Sequence, residues 1–218
     1  MPFTAKTLSL VLLAALTALT FACGAPPDAA EAPVAEAAPD APAPPDNAAA
    51  PLAPVTSRDG ADGAHTVEAP GAAFTLPAAW ERTPPSSSMR LAEAMIPGAE
   101  GPGELKIFHF GAGGGGGVEA HQQRWIVQMY ATAEPQRDSF TVDAGGTEYT
   151  VTWIDVVGTL KGGTMGGPPQ DVPNSRMLAA VVEGPQGPWF FKATGPDQTL
   201  DAARDDFMQL LESVRPSL

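Results

Sequence analysis

The sequence predicts an α+β domain: an antiparallel sheet of hairpins with two main helices packed on it, preceded by a segment that does not fold. Three observations support this fold class. Short segments that alternate apolar and polar residues are separated by Gly- and Pro-rich turns, as in β-hairpins. Near the C-terminus, apolar residues recur every three or four positions, as on an amphipathic helix. Large apolar residues become frequent only beyond residue 65, and all four tryptophans lie there: Trp80, Trp125, Trp153 and Trp189.

The first half of the predicted domain contains a strand, a hairpin and a helix. Residues 73–76 form a short apolar segment that predicts a strand, with Trp80 behind it as a core residue. The segments 89–96 and 104–110 alternate and are separated by a Pro/Gly turn, so we expect them to pair. Residues 118–130 then have a helical period. One face of this predicted helix carries Val118, Gln122, Trp125, Ile126 and Met129.

The second half predicts two hairpins and a closing helix. Residues 139–144 and 148–159 flank a Gly-Gly pair, and residues 176–183 and 188–194 flank a Gly-Pro-Gln-Gly turn. The segment 200–214 is the clearest helix, because its apolar residues fall on one side and its acidic residues on the other. We expect this helix to cover one face of the sheet.

Some segments resemble known families. Phe-Thr-Leu-Pro-Ala-Ala-Trp at 74–80, Phe-Phe-Lys-Ala-Thr-Gly at 190–195 and Phe-Met-Gln-Leu-Leu-Glu-Ser-Val at 207–214 are similar to the PsbP-like α/β/α sandwich group. Ser-Met-Arg-Leu-Ala at 88–92 and Arg124-Trp125 look like motifs of uncharacterised bacterial lipoproteins. The first resemblance covers roughly residues 70–215. It implies a domain that binds other macromolecules and performs no chemistry, although a fold alone does not determine function.

The N-terminus has the pattern of an export signal. Lys6 precedes an apolar run at 8–22, which is short for a transmembrane helix and is followed at once by Cys23. The junction resembles a bacterial lipobox, with Ala22 before the cleaved bond, although Thr20 stands where Leu is usual. The resemblance implies cleavage before Cys23 and lipid, including palmitate-type acyl chains, on that cysteine. An ordinary signal peptide with an incidental cysteine and an uncleaved anchor are the alternatives.

Residues 24–64 consist largely of Ala, Pro and acidic residues. Such a segment buries too little apolar surface to offset its ordering entropy, so we expect a disordered, partly extended tether. The predicted organisation is therefore a lipoprotein signal peptide at 1–22, a lipidated cysteine and tether at 23–65, and a single α+β domain at 66–218. Gly24, and not Asp, follows the cysteine, and by the sorting rule of some envelope lipoproteins the resemblance implies a place in the cell envelope at the outer membrane or its periplasmic face.

Composition excludes some classes of function. The formal net charge of -13 repels phosphates, so we expect no nucleic-acid partner. A single cysteine allows no intrachain disulfide and no multi-cysteine metal site. The glycine run at 111–117 matches a dinucleotide-binding pattern between a strand and a helix. However, any glycine pattern matches such a run, and no second parallel strand follows it, so we interpret it as a connector.

The titratable residues do not form a recognisable catalytic motif. His65 ends the tether, whereas His109, Glu119 and His121 could approach a zinc ion only if the glycine loop brought them together. We interpret these histidines as surface residues. Four acids lie on predicted strands and could form a glycosidase-type pair: Glu93, Glu148, Asp155 and Glu183. Most of them should face solvent, but Asp155 shares a strand face with Tyr149 and Trp153.

The sequence therefore predicts no catalytic residue, no cofactor and no metal ligand, and Cys23 is the only residue with a predicted chemical role. The glycine-rich loop at 161–169 carries one Met and is a candidate for contact with a partner, or simply a mobile connection. We expect a membrane-anchored binding or scaffold domain whose partner is an envelope protein. An envelope hydrolase or a small-ligand-binding lipoprotein is the alternative.

Overall fold

The computed structural model describes residues 57–59, 64–162 and 170–217. The predicted signal peptide, Cys23, most of the predicted tether and residues 163–169 of the 161–169 loop lie outside the described residues. The strands are β1 Ser57–Asp59, β2 His65–Ala69, β3 Ala72–Leu76, β4 Glu81–Thr83, β5 Arg90–Ile96, β6 Gly103–His109, β7 Met129–Ala131, β8 Gln136–Ala144, β9 Thr147–Leu160, β10 Val172–Glu183 and β11 Trp189–Pro196. The helices are α1 Val118–Ile126, α2 Asp197–Ala202 and α3 Arg204–Glu212.

The strands form a large and a small sheet, and every pairing between them is antiparallel. The large sheet has the order β4-β5-β6-β11-β10-β9, and the outer side of β9 pairs with both β8 and β7. The small sheet has the order β1-β2-β3. The predicted α+β class, an antiparallel sheet with helices packed on it, is confirmed. None of the helices in the described part of the chain is long and apolar enough to span a membrane.

The large sheet has two apolar faces because its central strands alternate. On β10, Leu178, Ala180 and Val182 join the larger core cluster, whereas Met177, Ala179 and Val181 join the smaller one. The small sheet and the helices α2 and α3 close the larger core. Phe74 of β3 packs edge-on against Phe191 of β11 at 4.8 Å between ring centroids. Helix α1 covers the other face, hereafter the α1 face, mainly through Trp125.

The predicted hairpins 89–96/104–110, 139–144/148–159 and 176–183/188–194 are all present, and Trp80 is buried as expected. Three details differ from the predictions. Helix α1 ends at Ile126, and Met129 and Tyr130 belong to β7, which pairs with β9. The predicted closing helix is divided into α2 and α3 at Ala203. Strands β1 and β2 include residues of the segment expected to be a tether, and His65 pairs with Leu76 within β2–β3.

Candidate functional site

Asp155 lies in a buried ionic cluster on the side of the sheet covered by α2 and α3. It shares this face of β9 with the buried residues Tyr149 and Trp153. Its Oδ2 is 3.1 Å from NH1 of Arg176 and 3.4 Å from Nε of Arg204. Arg176 also contacts Oδ1 of Asp197 at 2.8 Å and Oδ1 of Asp201 at 2.8 Å. We call these five residues the ionic cluster. It joins β9 and β10 to both helices at the break between them.

Burial raises the pKa of the Asp155 carboxyl, and the two guanidinium groups oppose that effect. Oδ1 has no hydrogen-bond partner among the described residues. Arg204 in turn lies over the Trp153 ring, 5.1 Å from its centroid. Because Oδ2 of Asp155 contacts two guanidinium groups and no second carboxylate, Asp155 has the surroundings of a helix-anchoring ion pair, not of a glycosidase pair.

Glu93 does not face solvent, contrary to the expectation for the strand acids, whereas Glu148 and Glu183 are exposed. Its Oε1 accepts hydrogen bonds from the backbone N–H of Ser86 at 2.8 Å and from NH1 of Arg90 at 2.7 Å. Burial raises the pKa of Glu93, but these hydrogen bonds outweigh burial and leave the pKa below its ordinary value. The carboxylate therefore fixes the 86–90 loop against β5.

His109 was expected at the surface, and this is wrong. Only 3% of the residue is exposed, and its ring stacks on Trp189 with 5.1 Å between centroids. With the proton on Nδ1, the ring donates to the Pro188 carbonyl at 3.2 Å. Burial lowers the pKa of His109, so the neutral ring is favoured. The β6 strand buries this ring because residues 105, 107 and 109 all point to the larger core.

His121 lies in an aromatic cluster on the α1 face rather than in solvent. Its ring stacks on Trp125 at 5.6 Å and meets the edge of Phe190 at 4.0 Å between centroids. Burial, together with the neighbouring Arg124 cation, lowers the pKa of His121 to about 4. His121 Nε2 has no hydrogen-bond partner among the described residues. A neutral imidazole that packs as an aromatic ring accounts for this position.

His109 and His121 therefore point to opposite faces of the sheet and cannot share an ion with Glu119. Among residues 64–162 and 170–217, no group of three or more His, Cys, Asp or Glu side chains is arranged to hold a metal.

Close packing accounts for part of the glycine run. A Cβ on Gly115 would lie 2.7 Å from the Phe190 ring, and φ there is +81°. A Cβ on Gly187, in the β10–β11 turn, would lie 2.7 Å from the backbone of Gly111. The two turns thus touch through glycine and enclose a shallow cleft of about 420 Å³ with Glu183 at its edge. Because the sheet is antiparallel, the run does not open the β-α-β unit on which dinucleotide binding depends.

Two lysines face each other on the part of the α1 face that the helix leaves open. Lys106 of β6 and Lys192 of β11 are directly opposite in the strand register. Lys192 donates to Oε1 of Gln128, and Lys106 pairs with Glu104 at 2.5 Å. Burial, and to a lesser extent the charge of Lys106, lowers the pKa of Lys192 to about 8. The amine is therefore partly neutral near physiological pH.

A larger open cleft of about 590 Å³ lies at one end of the sheet, and we call it the end cleft. Its apolar lining consists of Pro102, Leu160, Val172, Pro173 and Pro196. Val172 is 52% exposed although it is a large aliphatic residue. Glu100 and Asp197 add two carboxylates to the lining. Neither Asp155 nor His109 lines this cleft.

The shape of the end cleft is set by a bulge in β10. The register between β9 and β10 shifts between Val172 and Ser175, and Asn174 has a φ of 51°, a conformation that few residues other than glycine adopt. The hydroxyl of Ser175 donates to the Val172 carbonyl at 2.9 Å and holds the bend. On the opposite wall, Thr199 Oγ1 donates to the Gly101 carbonyl at 2.8 Å and fixes the β5–β6 turn.

Neither the end cleft nor the burial of Lys192 is predicted from the sequence. The Gly- and Pro-rich segment 162–173 has the composition of a loop, yet Val172 and Pro173 belong to β10, and Pro beside a strand is a known sign of a bulge or an edge. Lys192 is the only charged residue of β11 and lies between the apolar residues Phe191 and Ala193. This isolated charge in an apolar segment is the sequence feature that could have indicated its burial. The Lys161 end of the candidate contact loop borders the fold, but residues 163–169 lie outside the described residues.

No protein-family model matches the chain, and no curated protein matches it. The structure is similar to the solution structure of cyanobacterial PsbP (CyanoP) from Synechocystis sp. PCC 6803, with 13% identity and a TM-score of 0.41. The match covers 78% of this chain and 95% of that chain. A likeness of this degree carries no conclusion about function, and membership of a bacterial lipoprotein family stays a prediction.

Proposed function

We propose that this protein is an exported lipoprotein, anchored through lipid on Cys23, whose domain binds an envelope polypeptide in the end cleft. The observation that carries the binding proposal is the exposed apolar lining of that cleft, centred on Val172. Exposed apolar surface in a cleft is a common sign of a contact site. The buried acids and histidines, in contrast, are each explained by a packing or ion-pair partner.

The chemistry of the end cleft favours a particular partner. Its proline and aliphatic lining suits apolar side chains, and Glu100 and Asp197 favour a positive charge beside them. Asp197 is already paired with Arg176, so Glu100 is the carboxylate available to a partner. The expected partner is therefore a polypeptide segment that combines apolar residues with Lys or Arg.

Two further exposed apolar residues lie near Leu160 along the neighbouring chain segment. Leu160 of the cleft pairs with Met129 of β7 on one side and with Val172 on the other. Beside Met129 along the chain, Val127 is 60% exposed and Tyr130 is 57% exposed. A partner segment longer than the cleft would find additional contacts there.

Site-specific photo-crosslinking tests the binding proposal. A photoreactive residue at Val172 of the full chain, expressed in its host, should give a discrete crosslinked band that a Glu100→Lys change weakens. The matched control is Met89, which is 63% exposed and is not among the cleft residues. Equal crosslinking from Val172 and Met89, or no effect of the charge change, would contradict binding in the end cleft.

The anchor has its own test. Cys23→Ala should remove metabolic labelling by radioactive palmitate and shift the protein out of the detergent phase, because several acyl chains together hold a protein on a membrane. Cys23→Ser is the closest control for a polar replacement and should behave in the same way. Unchanged labelling or unchanged detergent partitioning would defeat the anchor proposal.

Small-ligand binding is the second candidate, and the size of the end cleft is what favours it. A volume of about 590 Å³ lies within the range of small-molecule sites, roughly 300–1,000 Å³. A low-molecular-weight compound that co-purifies with the wild-type protein and is lost in Val172→Glu would favour this function over a polypeptide partner.

A further inference from the structure

The strand β8 forms a long open edge of the large sheet. It has nine residues, Gln136–Ala144, and its inner side pairs with β9 along its whole length. Within the described ranges of the chain, no strand pairs with its outer side. The opposite edge strand, β4, has only three residues. An open edge of this length presents a row of backbone donors and acceptors that can pair with another strand.

The sequence of β8 is complementary to itself in the antiparallel direction. If two copies pair about a two-fold axis at Phe140, all nine residues have partners. Arg137 then lies opposite Asp143 of the second copy, and Asp143 lies opposite its Arg137. The remaining opposed pairs are Gln136 with Ala144, Asp138 with Val142, Ser139 with Thr141, and Phe140 with Phe140.

Side chains also meet on the correct faces in this register. Arg137 lies opposite Ile154 of β9, so residues 137 and 143 share the α1 face. Phe140 and Val142 point to the other face and pack partly against the larger core. A two-fold axis perpendicular to the sheet rotates the second copy within the plane of the sheet. Residues that point to one face in the first copy therefore point to the same face in the second. Opposite charges and aromatic pairs directly across two strands each stabilise the pairing by about 0.2–1 kcal/mol.

Neighbouring registers lack these contacts. A shift of one residue brings side chains from opposite faces together, which the pleat does not allow. A shift of two residues in either direction leaves two residues of each strand unpaired. Arg137 of each copy then no longer lies opposite Asp143 of the other copy, so both ion pairs between the copies are lost.

The present contacts of the two charged residues do not prevent this pairing. Arg137 NH1 is 3.6 Å from Glu119 Oε1, and both side chains are exposed. Asp143 Oδ1 accepts a hydrogen bond from the Gly146 N–H at 2.8 Å, and its second oxygen stays available. Exposed ion pairs of this kind contribute little, so an exchange of partner costs little.

We propose that a second copy of this chain pairs with β8 and that the two large sheets become one continuous sheet across the two-fold axis. The self-complementary charges favour a second copy as the partner, because a second copy presents the opposite charge at both facing positions in this register. The dimer leaves the end cleft, which lies around the β10 bulge, outside the paired edge. Two clefts on one assembly would bind a multivalent partner with higher avidity.

Charge reversal tests the pairing. The full chain in detergent is measured by light scattering with absorbance and refractive index, which separates the protein mass from the micelle. Wild type should be a dimer, and Arg137→Glu or Asp143→Arg should weaken dimerisation by roughly tenfold or more, because each change turns two attractions into two repulsions. The double variant should regain the dimer. Glu183→Arg, an exposed position at the far end of β10, is the matched charge control and should leave the dimer unchanged.

The two single variants also test each other. In a mixture of Arg137→Glu with Asp143→Arg, both opposed pairs carry opposite charges, so a heterodimer should form although neither variant dimerises well by itself. Circular dichroism checks that each variant is folded, and rescue by the double change excludes a loss of fold as the cause. A monomeric wild type, or a dimer that ignores these reversals, would overturn the proposal.

A disulfide tests the register. In Phe140→Cys the two new thiols lie directly opposite, with Cα atoms about 4.5–5.5 Å apart, which suits a disulfide. In Asp138→Cys they are offset by four residues, about 13 Å, and should not join. Cys23 is the same in every variant and carries the proposed lipid on its sulfur, so it does not distinguish position 138 from position 140. Equal crosslinking at 138 and 140 would contradict this register.

Discussion

The two faces of the large sheet differ in how completely they are covered. On one face, the small sheet and helices α2 and α3 enclose the larger core, in which the rings of Phe74, Phe191 and Phe207 are fully buried. On the other face, the single helix α1 covers part of the sheet, and the row Glu93, Lys106 and Lys192 crosses the part that the helix does not cover. We infer that the first face supplies most of the stability, whereas the second tolerates charge.

The buried titratable groups of the two faces have different partners. On the closed face, Arg176 and Arg204 oppose the rise that burial causes in the pKa of Asp155. On the α1 face, burial lowers the pKa of His121 to about 4 and that of Lys192 to about 8, and the charge of Glu104 offsets only part of the effect at Lys192. The α1 face therefore contains groups whose charged forms oppose folding. The following predictions test this contrast, from the largest expected effect to the smallest.

Phe207→Ala should lower the free energy of unfolding by about 3–5 kcal/mol, because it removes a fully buried ring from the larger core and leaves a cavity. Urea unfolding followed by tryptophan fluorescence measures this change. Gln209→Ala, an exposed position on the same helix, is the control and should stay within about 0.5 kcal/mol of wild type. A loss at Phe207 no larger than at Gln209 would mean that α3 does not close the core.

Asp155→Ala should destabilise by about 2–3 kcal/mol, because it leaves Arg204 without its buried carboxylate. The loss is smaller than for an isolated ion pair, since Arg176 keeps Asp197 and Asp201. Thermal unfolding together with proteolysis near Ala203 measures both stability and the docking of α2 and α3. Asp205→Ala, exposed at the start of α3, is the control. If both variants unfold alike, the ionic cluster does not anchor the helices.

His121 should make stability depend on pH in the acid range. Its folded pKa of about 4 is below the ordinary value of 6.5, so the folded state favours the neutral ring. The contribution of the neutral His121 ring to the free energy of unfolding is therefore fully present above pH 6.5 and is lost as the pH falls from 6.5 to 4. We expect a loss of about 1–2 kcal/mol, because water still reaches part of the ring and screens the charge. His121→Phe keeps the aromatic packing and should remove this part of the pH dependence in urea titrations.

Lys192→Met should have the smallest effect and the opposite sign, a gain of about 1 kcal/mol at pH 7, because it removes an ammonium that is costly to bury. The folded pKa of about 8 lies below the ordinary 10.5, so the wild-type protein should become more stable as the pH rises from 8 to 10.5. Lys106→Met is the comparison on the neighbouring strand. A lower stability of Lys192→Met at pH 7 would show that the contact with Gln128 outweighs the burial.

The hairpins were predictable because their information is local. Alternation over six or more residues and glycines between the arms, as at Gly145 and Gly146, determine both the strands and their partner. The end of α1 was not predictable in this way. Met129 continues the helical spacing of Trp125 and Ile126, yet it is buried on the same face as part of β7, so the pattern does not distinguish the two conformations. Similarly, no Gly or Pro marks the break at Ala203.

The candidate sites depended even more on contacts between distant residues. The buried Asp155 carboxylate is paired with Arg176 of β10 and Arg204 of α3. Both arginines are distant from Asp155 in the sequence, so the residues next to Asp155 do not predict its burial. The end cleft exists because the β5–β6 turn, the β10 bulge and the start of α2 meet, and no single segment carries that pattern.

The sequence by itself determined the α+β class, the hairpins and the apolar stripe of the last helix, because these follow from residue spacing along one segment. It also carries the predicted export signal and Cys23, since such signals are local. Only the tertiary structure decided which strands became neighbours, such as β6 and β11, and which polar residues were buried. Burial and pKa depend on what packs against a side chain, and for His109, Asp155 and Lys192 those atoms come from remote parts of the chain.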